Sequence, residues 1–213
     1  MSKKFLGLAV LAGAVFTAHA GEIYGGVGFP GLTLGYSQSV APNVGVRGEY
    51  TGGLNLSKSG QHNGVEFDGK FKAQSVSALV DYFPMDSGFR LTAGVNYNDT
   101  KITLNSTGGG ATINGKLVSL AGEFFNIEMK QPTLTPYLGF GYGFKPQSKP
   151  AGWGFYADAG VMIGRFRTTT TTSLVGKQGI TQADIDLQTA SVRDNVNKLS
   201  MLPKISVGVS YRF

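Results

Sequence analysis

The chain has 213 residues, with 32 Gly, 9 Tyr, 14 Phe, 1 Trp, no Cys and only 15% charged residues. That charged fraction lies well below the ~25% of an average soluble domain, and glycine is about twice its usual ~7%. Without Cys, disulfides, Cys-based zinc sites, iron–sulfur clusters and thiol nucleophiles are excluded, and scattered charges summing to +6 are weak evidence for a nucleic-acid partner.

At the N-terminus, Lys3 and Lys4 precede an apolar stretch from Phe5 to Phe16, and Ala18-His19-Ala20 forms an A-x-A cleavage site before Gly21. Residues 1–20 therefore read as a secretory signal, since the apolar stretch is shorter than the ~20 residues that span a bilayer. The mature chain, 21–213, is expected to be one domain.

Along that domain apolar side chains recur at every second position, the period of a strand with two unlike faces. Residues 22–29 and Leu32 to Ser37 form a first hairpin around Pro30-Gly31. Val44, Val46 and Tyr50 then oppose Gly45, Arg47 and Glu49. Val76, Ala78, Val80 and Tyr82 oppose Ser75, Ser77 and Asp81, with Leu79 breaking the pattern. Phe89, Leu91, Ala93, Val95 and Tyr97 oppose Arg90, Thr92, Gly94, Asn96 and Asn98. Leu138, Phe140, Tyr142 and Phe144 oppose Tyr137 and three glycines. In residues 153–164, Trp153, Phe155, Ala157, Ala159, Val161 and Ile163 oppose Tyr156, Asp158, Met162 and glycines. The last strand sets Ile205, Val207, Val209, Tyr211 and Phe213 against Lys204, Ser206, Gly208, Ser210 and Arg212. The count is eight.

Strands of this kind suit either a soluble sandwich or a membrane barrel with its apolar side outward. The faces opposite the apolar ones are small and polar, as a narrow barrel interior requires. Tyr36, Tyr82, Phe83, Phe89, Trp153, Phe155, Tyr211 and Phe213 cluster near one set of turns, as an interfacial girdle would. Short connections (Val40 to Asn43, Pro84 to Gly88, Lys145 to Gly152) alternate with long polar ones near 55–70, 105–130 and 168–201. The chain stops on Phe213 at a strand end. The expected fold is thus all-β: a transmembrane up-and-down antiparallel β-barrel of eight strands, its short turns periplasmic and its long loops outside. Outer-membrane lipid is the expected surroundings, reached through the barrel-assembly machinery acting on the C-terminal strand.

One segment departs from this rhythm. Ile185, Val192, Val196 and Leu199 follow helical spacing, Thr181 with Asp184 forms a capping box, and Pro203 stops continuation. A short helix in the last outer loop, packed on the barrel mouth, is expected. The Thr168 to Thr172 run before it reads as the preceding strand continuing outward.

By the alternation, Arg47, Glu49, Asp81, Arg90, Asp158 and Arg212 point inward and should share one layer, joined by Lys204 nearer the outer end. Paired, they form a salt-bridge plug; separated, a selectivity layer along a narrow path.

Thr135-Pro136-Tyr137-Leu138-Gly139-Phe140-Gly141-Tyr142-Gly143, then Gly152-Trp153-Gly154-Phe155-Tyr156-Ala157-Asp158-Ala159-Gly160-Val161, resemble the small outer-membrane barrels of the CarO type, also called ornithine-uptake porins. The likeness extends to the polar helical segment and the strand Pro203 to Phe213. The resemblance implies a largely closed eight-stranded barrel with a proposed role in uptake of small basic amino acids.

Motifs of soluble enzymes fare poorly. Gly110 to Lys116 has phosphate-loop spacing until Leu117, where Ser or Thr is required, and Gly26 to Gly31 spells a dinucleotide fingerprint with no helix to follow. His62 is the only His of the mature chain, and with Ser57, Ser59 and Glu66 it makes the one conceivable hydrolase or acyltransferase set. No catalytic, metal or cofactor site is expected. Two functions remain: a low-conductance channel for small solutes such as amino acids, and a structural or surface-interaction barrel.

Overall fold

The computed structural model describes residues 21–62, 65–85, 87–144, 151–196 and 200–213. The expected signal segment 1–20 and most of the expected Lys145 to Gly152 turn lie outside the described residues.

Eight antiparallel strands close into a ring: β1 (Gly21–Phe29), β2 (Gly31–Ala41), β3 (Val44–His62), β4 (Val65–Tyr82), β5 (Phe89–Asn98), β9 (Leu134–Tyr142), β10 (Gly152–Ile163) and β12 (Met201–Arg212). Each pairs with the next, and β12 pairs with β1, so the ring has no free edge. Both Gly21 and Phe213 lie at one end, here the terminal end, and the other is the loop end. The expected all-β up-and-down barrel is therefore what the chain forms.

Outside the ring, the large apolar side chains stand exposed, among them Val27, Leu34, Val80, Val95, Phe140 and Val207. Inside, the side chains are polar or aromatic, with Leu79 and Met162 aliphatic among them. Glycines make this possible, because the bore is too narrow for large residues on facing strands. A Cβ on Gly160 would lie 2.5 Å from the Tyr137 ring, and one on Gly208 would lie 2.6 Å from Tyr156. Leu79, which breaks the alternation as read from sequence, points inward and packs with Tyr137 and Met162.

The loop end differs from expectation. Of the expected loops, residues 55–62 and 65–70 are strand, and 105–130 is strand except at 114–115 and 120–123. β3 and β4 run past the ring as one tall hairpin, bent at a bulge between Thr51 and Leu54, where Gly53 has φ +92. The strand β6 (Lys101–Ile113) pairs with the upper half of β4, β8 (Phe124–Lys130) pairs with β6, and β11 (Arg167–Thr172) pairs with β8. The threonine run thus does not continue β10; it crosses to join this outer sheet. β7 (Lys116–Ser119) returns along β6 through a two-residue Asn114-Gly115 turn, both residues with positive φ. That hairpin is what the phosphate-loop spelling encodes.

Helix α1 (Gln182–Val196) packs on this outer sheet rather than on the barrel mouth. Ile185 joins Ile113, Val118, Leu120, Leu174 and Ile180 in a small apolar core. The side chains of Val192, Val196 and Leu199 lie outside the described residues. The capping box forms: the Thr181 amide donates to Asp184 Oδ2 at 2.9 Å, and the Asp184 amide donates to Thr181 Oγ1 at 3.3 Å. Asp184 also accepts from Lys116 Nζ and Asn114 Nδ2, both at 2.8 Å.

Those hydrogen bonds, from Lys116 foremost, then Asn114 and Thr181, hold the Asp184 carboxyl well below the ordinary carboxylate range. A carboxyl depressed in the folded state stabilises docking above the unfolded value near ~4 and loses that contribution as pH falls through the folded one. Amide exchange of α1, corrected for intrinsic rate, should accelerate as pH drops below about 4. Asp184→Asn should exchange faster at neutral pH and flatten the profile.

Candidate functional site

Of the interior side chains, six ionisable ones meet in a single network. Arg47 Nε lies 2.5 Å from Asp81 Oδ2, and Arg47 Nη1 lies 3.1 Å from Asp158 Oδ2. Arg90 Nη2 lies 2.6 Å from Asp158 Oδ1 and its Nε 3.5 Å from Asp81 Oδ1. Lys204 Nζ contacts Glu49, which also lies 3.6 Å from Arg47 Nη1 and accepts from Tyr24 Oη at 2.8 Å. Three cations face three carboxylates, and Arg90 and Asp81 are both 0% exposed. The assembly is neutral.

The six come from β3, β4, β5, β10 and β12, and Tyr24 adds β1, so the contacts tie most of the ring together. A one-residue slip of any strand would turn its charge to the outside. Burying ions costs several kcal/mol each, which only close pairing and further hydrogen bonds offset. Here Thr92 Oγ1 donates to Asp81 at 2.6 Å, and Arg90 Nη1 donates to the Gly143 carbonyl at 2.9 Å.

Two apolar layers enclose the charges, as the residue order along β4 and just past its end (Leu79, Asp81, Phe83) and along β10 (Tyr156, Asp158, Met162) dictates. On the terminal side, Phe83, Phe144, Tyr24 and Tyr156 pack together, with Tyr24–Phe144 and Phe144–Tyr156 ring centroids 4.7 and 5.1 Å apart. Phe144 lies beneath both guanidiniums, 4.6 Å from Arg90 Cζ and 5.2 Å from Arg47 Cζ. On the loop side are Leu79, Tyr137 and Met162. Farther toward the loops the wall turns polar, and Ser75, Ser77, Asn96, Asn98 and Thr135 are all buried. Asn96 Nδ2, Asn98 Oδ1, Ser75 Oγ and both amide atoms of Gln131 have no hydrogen-bond partner among the described residues.

Two placements differ from the sequence reading. Arg212 does not join the layer; its Nη2 lies 2.9 Å from Glu22 Oε2, near the chain ends. The first and last strands are neighbours there, which the linear sequence hides. Phe83 does not belong to the girdle. It follows Tyr82 by one residue, so it faces the opposite way and is buried inside. Trp153 and Phe155 stand 77% and 81% exposed, and Tyr82, Tyr211 and Phe213 are also outward. Tyr36 and Phe89 are half-buried. Rings pair between strands here, Trp153 with Tyr211 at 5.3 Å and Tyr36 with Phe213 at 6.5 Å.

Sequence reasoning missed Glu22, Tyr24, Tyr156 and Phe144 as participants. For the first three the alternation of inward positions was a sufficient signal. Phe144, read from the alternation as outward with Leu138, Phe140 and Tyr142, is instead buried inside, because it lies past the end of β9 with φ +56, outside any strand parity. Of the conceivable hydrolase set, Ser57 and Ser59 are on β3, whereas the side chains of His62 and Glu66 lie outside the described residues.

No protein-family model and no curated protein matches the chain. The crystal structure of CarO from Acinetobacter baumannii matches it with a TM-score of 0.54 and 22% identity, over 90% of this chain and 97% of that one. The chain has the CarO barrel fold. A major outer membrane protein from Thermus thermophilus matches with a TM-score of 0.49 and 18% identity, over 92% of this chain and 100% of that one.

Adjacent strands suggest Asp81 with Arg90, but Arg90 is closest to Asp158 and Asp81 to Arg47. Asp158→Asn should cost about 3–5 kcal/mol by taking the closest carboxylate from buried Arg90 and leaving two guanidiniums to share Asp81. In double-mutant cycles from urea midpoints, Arg90→Gln should couple with Asp158→Asn by about 0.5–3 kcal/mol and more weakly with Asp81→Asn.

Proposed function

We propose that the chain is a bacterial outer-membrane barrel acting as a narrow, low-conductance path for small polar solutes such as amino acids. The observation that carries this reading is the sequence of interior layers. On the loop side Asn96 Nδ2, Asn98 Oδ1 and Ser75 Oγ have no hydrogen-bond partner among the described residues, and below them lies a neutral network of paired charges. Buried polar groups without partners take up water or a solute, and amide and hydroxyl groups suit the ammonium and carboxylate of an amino acid. The charge network then serves as the constriction, opening when its pairs exchange partners. Residues 1–20 would direct export, and the C-terminal strand would engage the barrel-assembly machinery.

Lipid as the barrel's surroundings is supported by the exposed apolar wall. Val207 and Val95 are both 54% exposed, flanked in register by Val27 and Ala157 and by Ala78 and Pro136. Val207→Arg should cost ~2–4 kcal/mol in vesicle-embedded protein if that site lies near the bilayer midplane. An unchanged urea midpoint in vesicles would count against the membrane.

A second reading has its own observation. The outer sheet and α1 form a substantial body beyond the ring, suited to display or interaction at the surface. Conductance separates the two. In planar bilayers the transport reading expects small, reproducible steps, larger in Asp158→Asn, where Arg90 loses its closest acid. Silence from both proteins would leave the surface role.

A further inference from the structure

The outer sheet carries a row of cations that neither function above uses. Lys72 is in register with Lys101, Lys101 with Lys130, and Lys130 with Arg167, across four adjacent strands. Neighbouring strands lie ~4.8 Å apart, so the row spans about 14 Å. Like charges directly opposite on a sheet repel, and four in succession call for anions. Asp99 supplies one, lying 3.1 Å from Lys72 Nζ. Burial would raise its carboxyl, but hydrogen bonding to Lys72 and the charges of Lys72, Lys101 and Lys130 hold it below its ordinary value. Lys70 lies one row farther out, beside Thr103 and, beyond it, Glu128. Among the described residues of this face, five cations stand against Asp68, Asp99 and Glu128.

The row's position names its partner. On β4, Lys72 shares the even-numbered face with Val76 and Val80, the outward apolar wall. Val76 is flanked by the exposed rings of Tyr50 and Tyr97. Tyrosines of this kind sit at a membrane interface, and Lys72 lies four residues beyond them, about 13 Å along the strand. With strands tilted by ~45° this is about 9 Å along the membrane normal, from which a long lysine side chain reaches the headgroup layer. A cleft of about 420 Å³ opens on the same face, lined by Asn55, Lys70, Lys72, Lys101, Thr103 and Glu128. We infer that this face binds the phosphate groups of lipid headgroups in the outer leaflet around the barrel. The inference rests on the outer-membrane reading proposed above.

The test uses the mature chain, 21–213, and diphosphoryl lipid A as probe. Lipid A bound to the folded barrel in neutral detergent is counted by native mass spectrometry. The wild type should bind it, and each cation neutralised among Lys72→Gln, Lys101→Gln, Lys130→Gln and Arg167→Gln should weaken association about fivefold. Lys101→Arg with Lys130→Arg should retain binding, since charge is kept. Equal binding by the wild type and the fourfold variant overturns the inference. So does displacement of lipid A by an equal concentration of inorganic phosphate, which would mark a free-anion site. Refolding into phosphatidylcholine vesicles separates the two levels. Failure of the wild type to insert refutes the membrane reading itself, whereas insertion without charge-dependent lipid A binding refutes only this inference.

Discussion

The structure depends on a neutral set of paired charges held where water is scarce. Arg47, Arg90 and Lys204 need Glu49, Asp81 and Asp158 within a few ångströms, and these six arrive from five strands. Once the ions are buried, strand register is no longer free, because any shift leaves a charge without its counter-ion. The network is therefore weak evidence for high stability but strong evidence for a single register. The aromatic and aliphatic layers on either side strengthen it by lowering the local dielectric.

The wall around the network follows from the same constraint. An eight-stranded ring is just wide enough to be filled by side chains. Tyr24, Tyr137 and Tyr156 can fit only where the facing positions are Gly35, Gly160 and Gly208. High glycine content in this chain is thus a packing requirement of a filled bore. On the outside no such limit operates, and branched aliphatic and aromatic residues cover the surface. One strand serves two environments with a period of two, and that economy explains both the composition and the low charge.

Beyond the ring the physics changes. The tall β3–β4 hairpin offers a free edge, and β6, β8 and β11 pair onto it in succession. Their inner face holds its own small core of Ile127, Met129 and Phe166, and α1 covers a second core beside it. The body stands on the barrel as an extension of one hairpin, which lets its outward face continue the barrel wall and carry the row of Lys72, Lys101, Lys130 and Arg167.

How much of this was legible in the sequence follows from how local each signal is. Strand existence, face and number are set by alternation within about ten residues, and all eight ring strands could be read that way. The α1 start could be read from Thr181 and Asp184, which touch each other. The outer sheet could not, because Lys101 to Ile113 and Phe124 to Lys130 are polar on one face and only partly apolar on the other. Their pairing partners lie far along the chain. Likewise the alternation determined that Asp81, Arg90 and Asp158 point inward, but not that Arg90 reaches Asp158 across the β9 strand and its Gly141. Nor could it show that Arg212 meets Glu22, which is adjacent only because the ring closes. By itself the sequence determined which face each side chain takes, since that is a property of one strand. The tertiary structure alone decided which charges pair, since strand tilt and ring closure set those distances between strands.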